Sequence, residues 1–274
     1  MSRPVTILFQ PVVIPLAEMT ILPQGLDDLV EWVGDYRPEC LPGENPTGTD
    51  LFPHDGTEGG RSLTGNELLV ELAGRNCYHS YGAKAGKKSN RDYIAHTQSG
   101  TVPHRSIMYH AKMTFLVAGI SRRVSHELIR HYVGADRSEE GSPSQESTRY
   151  THHPGHFVVP PKMALDGQAV EQFMAAMASA YTEYRDYIDR EVEAYRAASG
   201  EEPKGLTRKR IYEAAAGLLP MQAATSLVWT TNPVALAKMF AERTDETADA
   251  EFRRLALRWQ RLCVARWPNL FPSP

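Results

Sequence analysis

The chain has 274 residues, with 30 Lys+Arg against 33 Asp+Glu and a formal charge of −3. Hydrophobic residues at 42% and charged residues at 23% are ordinary globular usage, which excludes collagen, coiled coil and wholesale disorder. The near-neutral balance excludes a protein that grips long nucleic acid by charge alone. Cys40, Cys77 and Cys263 form no CxxC pair, which excludes a disulfide scaffold and a zinc ribbon. No basic-then-apolar leader opens the sequence, and no run approaches roughly 18 apolar residues. The expectation is a cytoplasmic globular protein without a membrane or nucleic-acid-polymer partner.

Residues 4–15, β-branched and apolar, predict strand broken by proline. The Pro- and Gly-rich stretch 38–60 predicts a long irregular loop. Thr64-Gly-Asn-Glu67 is a capping-box pattern opening a helix with Leu68, Leu69, Leu72 and Ala73 on one face. A lysine-rich loop at 83–88 precedes a short helix from Ser89. Residues 111–119 predict a strand, and 121–131 a helix with Val124, Leu128 and Ile129 as its apolar stripe. The glycine- and proline-bearing 134–144 predicts a loop, and 157–160 a short extended piece. Residues 167–198 repeat Val170, Phe173, Met177, Tyr181, Tyr184 and Ile188 at helical spacing, predicting a long packed helix. Helix at 207–218, strand at 225–230, an Asn232-Pro233 cap before another helix, and a last helix at 247–266 complete the chain. Helices with scattered strands predict an α+β fold, a central sheet flanked by long helices, and one domain over 1–274.

The common nucleotide signatures are absent: no GxGxxG follows a strand and there is no GxxxxGK[ST]. The informative stretch is 103–150. On the 121–131 helix, Glu127, Arg130 and His131 stand at i, i+3 and i+4, so their heads share one face. A carboxylate, a guanidinium and an imidazole together suit a polyanionic or heterocyclic ligand; a solvated salt-bridge face is the plainer alternative. Ser144-Gln-Glu-Ser-Thr-Arg-Tyr150 offers hydroxyls, an amide and a guanidinium to a phosphate and a pyrimidine edge. His152, His153 and His156, with His126 and His131 upstream, leave a metal-dependent hydrolase as a reading from another class, without a helical HExxH to accompany it.

Pro103-His-Arg-Ser-Ile-Met-Tyr-His-Ala111 resembles the GHxSxxEHA string of the flavin-dependent thymidylate synthases. Gly119 to His131 is similar to that family's run into its RHR triplet, and 144–150 resembles its S-x-R-Y segment. The resemblance continues through 72–78, 158–161, Leu219-Pro220, Thr230-Thr-Asn232, Arg243 and 250–256, in order over roughly 66–260. It implies an FAD site at His104, Ser106, Arg130, His131, Tyr132 and Asn232. It implies a uridylate site at Glu127, Gln145, Ser147, Thr148, Arg149 and Arg243, with Arg243, Ser147 and Gln145 as the catalytic positions. Arg243 corresponds to the arginine beside the pyrimidine carbonyl, where a fixed cation stabilises charge on the ring as C5 becomes nucleophilic. The implied reaction joins methylenetetrahydrofolate, NADPH, FAD and UMP or dUMP on a homotetramer with shared sites. No metal and no cysteine nucleophile enter it.

The departures are informative. The RHR triplet reads Arg130-His131-Tyr132, and residues 133–146 separate it from Ser147, twice the family's spacing. Ala216 stands four before Pro220, where the family carries a phosphate-binding arginine; Val234 replaces a usual arginine, and Tyr109 a usual glutamate. Arg122 and Arg137 are the candidates to compensate. The chain resembles the UMP C5-methylase branch found in peptidyl-nucleoside antibiotic pathways; a divergent dUMP-specific synthase is the alternative.

Overall fold

A computed structural model describes residues 4–41, 43–99, 101–131 and 142–272, with only the backbone of Ser142. Tyr132, Arg137 and most of the enlarged 133–146 loop lie outside the described residues.

The strands are β1 (Thr6–Leu8), β2 (Val12–Glu18), β3 (Thr57–Glu58), β4 (Arg61–Ser62), β5 (Met113–Ser121), β6 (Ser142–Gln145), β7 (His156–Val158) and β8 (Ala224–Thr231). The helices are α1 (Pro23–Tyr36), α2 (Gly65–Tyr78), α3 (Asn90–Gln98), α4 (Arg122–Leu128), α5 (Gly167–Ser199), α6 (Gly205–Ala216), α7 (Pro233–Arg243) and α8 (Ala250–Arg266). A four-stranded sheet runs β2-β5-β8-β6, each neighbouring pair antiparallel. β1 pairs in parallel with β7, and β3 with β4 as a small hairpin. This is the expected α+β arrangement.

One face of the sheet (Val13, Phe115, Val117, Trp229) packs on α4, α7 and α8 through Val124, Leu128, Phe240, Phe252 and Trp259. Alternation in β5 is interrupted at Gly119, which adopts φ +66 where the register with β8 shifts between Ala118 and Ile120. This bulge lets Ile120 and Ser121 both turn inward. The Ser121 hydroxyl then accepts from Val124 N (3.1 Å) and caps α4. α5 and α6 form a second core on Phe157 through Tyr184, Ile188 and Ala215. A third core under α1 gathers Val33, Cys40, Leu51 and Tyr81.

Three expectations need correction. α1 lies where no element was assigned, although Pro23 in its first turn and Leu26, Leu29, Val30 and Val33 at helical spacing carry a readable signal. Ser142–Gln145, placed in a loop, is an edge strand, and Pro143 is tolerated there because an edge position needs no donor on its open side. The 121–131 helix is α-helical only to Leu128; residues 129–131 tighten into a 3-10 turn.

Candidate active site

Arg243 ends α7 and meets the end of α4 beneath the sheet. Its Nε donates to His131 Nε2 (2.9 Å) and its Nη1 to Glu127 Oε2 (3.2 Å), with the guanidinium 4.9 Å from the Phe252 ring centroid. Arginine only donates, so His131 Nε2 must be the lone-pair nitrogen and the proton sits on Nδ1. Burial, followed by the Arg243 charge, lowers the His131 pKa from 6.5 to about 4, so the imidazole is neutral. Nδ1 faces Glu242 at 3.8 Å.

Glu127 also lies 3.9 Å from Arg123, whose guanidinium is gripped by Asp249 and bonds Glu251 at 3.2 Å. Glu251 in turn accepts from the Ser121 backbone (2.8 Å) and hydroxyl (2.9 Å). A chain of alternating charges thus fixes α4 against the start of α8 and aims Glu127 at Arg243. Arg123, Asp249 and Glu251 went unassigned in the sequence, although Asp249 carries a readable N-cap signal before the last helix, which it fulfils at Glu251 N and Phe252 N.

The expected shared face of Glu127, Arg130 and His131 holds for two of the three. The turn tightens after Leu128, leaving Arg130 exposed while Glu127 and His131 converge. Gln145 is braced, its Nε2 donating to Ser125 Oγ (3.0 Å) and Thr225 Oγ1 (3.2 Å). After it the chain turns at Ser147, whose hydroxyl accepts from Arg149 N (3.3 Å); Thr148 is half-buried in that turn. Arg149 pairs with Glu213 of α6 at 3.2 Å, one turn before Ala216. Arg122 leans on the same segment, its Nη2 donating to the Glu146 carbonyl (3.0 Å). Its Nε is buried without a partner, and burial pushes its pKa down.

Polar atoms are also left over among the residues the resemblance assigns to flavin. Asn232 is fully buried and caps α7 through Oδ1 to Ala235 N (3.0 Å), while its Nδ2 has no partner. His104 Nδ1 is likewise buried and unpartnered, beside Tyr78 at 5.9 Å between centroids. Ser106 is exposed on the 3-10 turn Arg105–His110. Between that turn, α3 and α7 lies a cavity of about 600 Å³, whose wall includes Arg91, Arg105, Met108, Val234 and Lys238. With Arg91, Arg105 and Lys238 in its wall, the cavity fits a flavin-sized, anionic cofactor; Asn232 and His104 are not among its lining residues, but a sealed polar atom without a partner is costly unless a ligand bonds it.

Two of the histidines that suggested a metal, His152 and His153, are absorbed in the fold, while His126 is exposed. His152 Nε2 bonds the Tyr212 hydroxyl (2.6 Å); His153 bonds the Ala224 carbonyl (3.2 Å) through Nε2 and accepts from Gly155 N (3.2 Å) at Nδ1. Among the described residues no group of three or more His, Cys, Asp or Glu could hold a metal ion. Nor, among them, is any helix long and apolar enough to cross a membrane.

Residues 61–269 match the thymidylate synthase complementing protein family. A flavin-dependent thymidylate synthase of Mycolicibacterium gilvum is 35% identical over 209 residues, 76% of this chain and 79% of that one. One from Mycobacterium sp. strain KMS is 36% identical over 213 residues, with the same coverage of 76% and 79%. Among solved structures, the UMP/dUMP methylase PolB of Streptomyces cacaoi bound with 5-Br UMP superposes with TM-score 0.60. It covers 98% of this chain and 95% of its own at 17% identity, which is a likeness of fold. PolB bound with 5-Br dUMP gives 0.58, at 16% identity.

Proposed function

Since this chain belongs to the flavin-dependent thymidylate synthase family, we propose that it methylates the C5 position of a uridine monophosphate, UMP as well as dUMP. Methylenetetrahydrofolate is the one-carbon donor and NADPH the reductant in this reading. The observation that carries it is the Arg243 junction: one guanidinium is held between Glu127 and His131, the residues that the resemblance assigns to the nucleotide and to the flavin. A cation fixed there by two acceptors needs no reorganisation when negative charge develops on the pyrimidine. His131, neutral and accepting at Nε2, presents its Nδ1–H as a donor. FAD supplies the redox chemistry, and Asn232, His104, Ser106, Arg130 and His131 would hold it.

Two of the three missing arginines, those at Ala216 and Val234, have candidate substitutes. Lys238 follows Val234 by one helical turn and lines the same cavity, with Arg105 on the opposite element, so the cavity keeps its positive charge without an arginine at 234. For Ala216, the buried and unspent Nε of Arg122, whose Nη2 bonds the Glu146 carbonyl, is suited to a phosphate together with Arg149 and Ser147. Alanine in place of arginine leaves room near the sugar and phosphate, which supports a ribonucleotide; a role in nucleoside antibiotic biosynthesis follows from that choice.

Self-association into a homotetramer with shared sites is part of the reading. The sheet face turned away from the core carries an apolar row, Ile14–Leu116–Val228, in register across three strands. Ile14 is 43% and Val228 36% exposed. A second copy would cover this row, and residues 1–274 would act as one unit because β2, outside the matched region, completes that sheet.

The test is a competition. Purified enzyme with FAD, NADPH and methylenetetrahydrofolate meets equal UMP and dUMP, and both methylated products are quantified by mass. Substantial 5-methyl-UMP is expected; dTMP alone would assign a dUMP-specific enzyme, and neither product would overturn the reaction. An Arg243→Ala variant run alongside should keep its flavin absorbance and lose methyl transfer by about 10²–10³-fold.

A further inference from the structure

A second cleft, of about 800 Å³, opens at His104 between the end of α2, the 80–88 loop and α3. Its wall includes Tyr78, Lys87, Lys88, Tyr93, His96 and His104, and no Asp or Glu is among its lining residues. In a chain with more carboxylates than cations, 33 against 30, such a wall selects for anions. Lys84 of the same loop is engaged by Glu39 at 2.7 Å. Among the described residues, Lys87 and Lys88 have no carboxylate partner and are exposed at the cleft.

The loop that presents them is braced. Buried Arg75 donates to the carbonyls of Ser80 (2.9 Å) and Ala85 (3.0 Å), and Ala83 N bonds the Cys40 carbonyl (2.8 Å). Gly86 then turns at φ +72, a conformation that favours glycine, immediately before the two lysines. The aromatic walls are fixed too: Arg75 sits 4.5 Å from the Tyr93 ring centroid, and Tyr78 meets His104 edge-on. Two rings, two ammonium groups and two imidazoles on a rigid frame recognise a flat heterocycle that carries phosphate or carboxylate.

We propose that this cleft binds the anionic tail of a small co-reactant of the methylation, with Lys87 and Lys88 as its charge partners and Tyr78 as a stacking wall. The assignment rests on the reaction proposed above. Two co-reactants have this chemistry: NADPH through its 2′-phosphate, and the folate through its glutamyl carboxylates.

The experiment uses the flavin-loaded enzyme and the Lys87→Glu/Lys88→Glu double variant; both side chains are exposed, so the fold should survive. Calorimetric titration with NADP⁺, and with tetrahydrofolate bearing one or three glutamates, is read beside KM for NADPH, NADH and each folate. The expected result is a loss of at least about tenfold in affinity for one tail-bearing ligand, with flavin absorbance and nucleotide KM unchanged. Collapse of the NADPH-over-NADH preference assigns the cleft to the phosphate, and collapse of the tri- over monoglutamate preference assigns it to the carboxylates. Unchanged affinity for both overturns the proposal. Loss of flavin in the variant also overturns it, by giving the cleft to the flavin's own phosphates. Wild-type protein without flavin would count against the reaction itself, whereas the titrations decide the cleft in either case.

Discussion

Arg243 is a surface-type residue made specific by its neighbours. Half-withdrawn from solvent, it spends Nε on a neutral imidazole and Nη1 on a carboxylate, and both acceptors depend on its staying charged. The same burial that neutralises His131 has a stability consequence. His131 and His153 both titrate near 4 when folded, against 6.5 when exposed, so between these values the unfolded chain binds more protons than the folded one. Stability should therefore be fully present above about pH 6.5 and fall as pH drops toward 4. The slope is up to about 1.4 kcal/mol per pH unit for each group. Denaturant midpoints across this range check it, and a His153→Gln variant should show the shallower slope; a flat wild-type profile would contradict the burial argument.

At the scale of elements, the site is made where helix ends meet. α4 stops at Leu128, α7 stops at Arg243, and α8 starts at Ala250 beside both. Asn232 has a capping Oδ1 and an unpartnered Nδ2 at the start of α7, and two substitutions separate them. Asn232→Ser keeps an oxygen for Ala235 N, so stability should stay near wild type while the unpartnered Nδ2 donor is lost and flavin affinity drops about tenfold. Asn232→Ala should lose the cap as well, at a cost of about 1 kcal/mol. Thermal melts and the flavin absorbance of the purified variants read the two effects apart. Flavin retained by the serine variant would remove Asn232 from the cofactor site.

For the whole molecule, the sheet divides the protein into a packed side and an open side. The packed side holds the core under α4, α7 and α8, and the open side displays Ile14, Leu116 and Val228 in one row. Ile14 is on the edge strand and belongs to none of the core clusters, so a subunit with Ile14→Asp should still fold. Like charges brought together at a self-complementary contact should nevertheless break the assembly. Sedimentation velocity is expected to show four copies for wild type and smaller species for the variant. Unchanged sedimentation would place the contact elsewhere.

Local signals in the sequence were strong wherever a cap or a period defines an element. Thr64 with Glu67, Ser89, Ser121, Asn232 and the stripe of α5 all appear where their residue types demand, because capping and amphipathic spacing act within a few residues. Family membership was legible as well, through short strings in a fixed order. The motifs did not reveal what their residues touch: that Arg243 reaches across 112 positions to His131, that Asp249 and Glu251 at the start of α8 hold Arg123 beside Glu127, or that Lys238 shares a cavity wall with Val234 and Arg105. Those relations need α4, α7 and α8 brought together under the sheet, and no local preference encodes the distance between helix ends. Pro143 in an edge strand and Arg130 turned outward have the same origin: an open sheet edge and a tightened last turn exist only once the neighbours are packed. The sequence by itself determined which elements form and to which family the chain belongs. Tertiary structure alone decided which side chains share a charge, because that sharing rests on contacts between segments far apart in the chain.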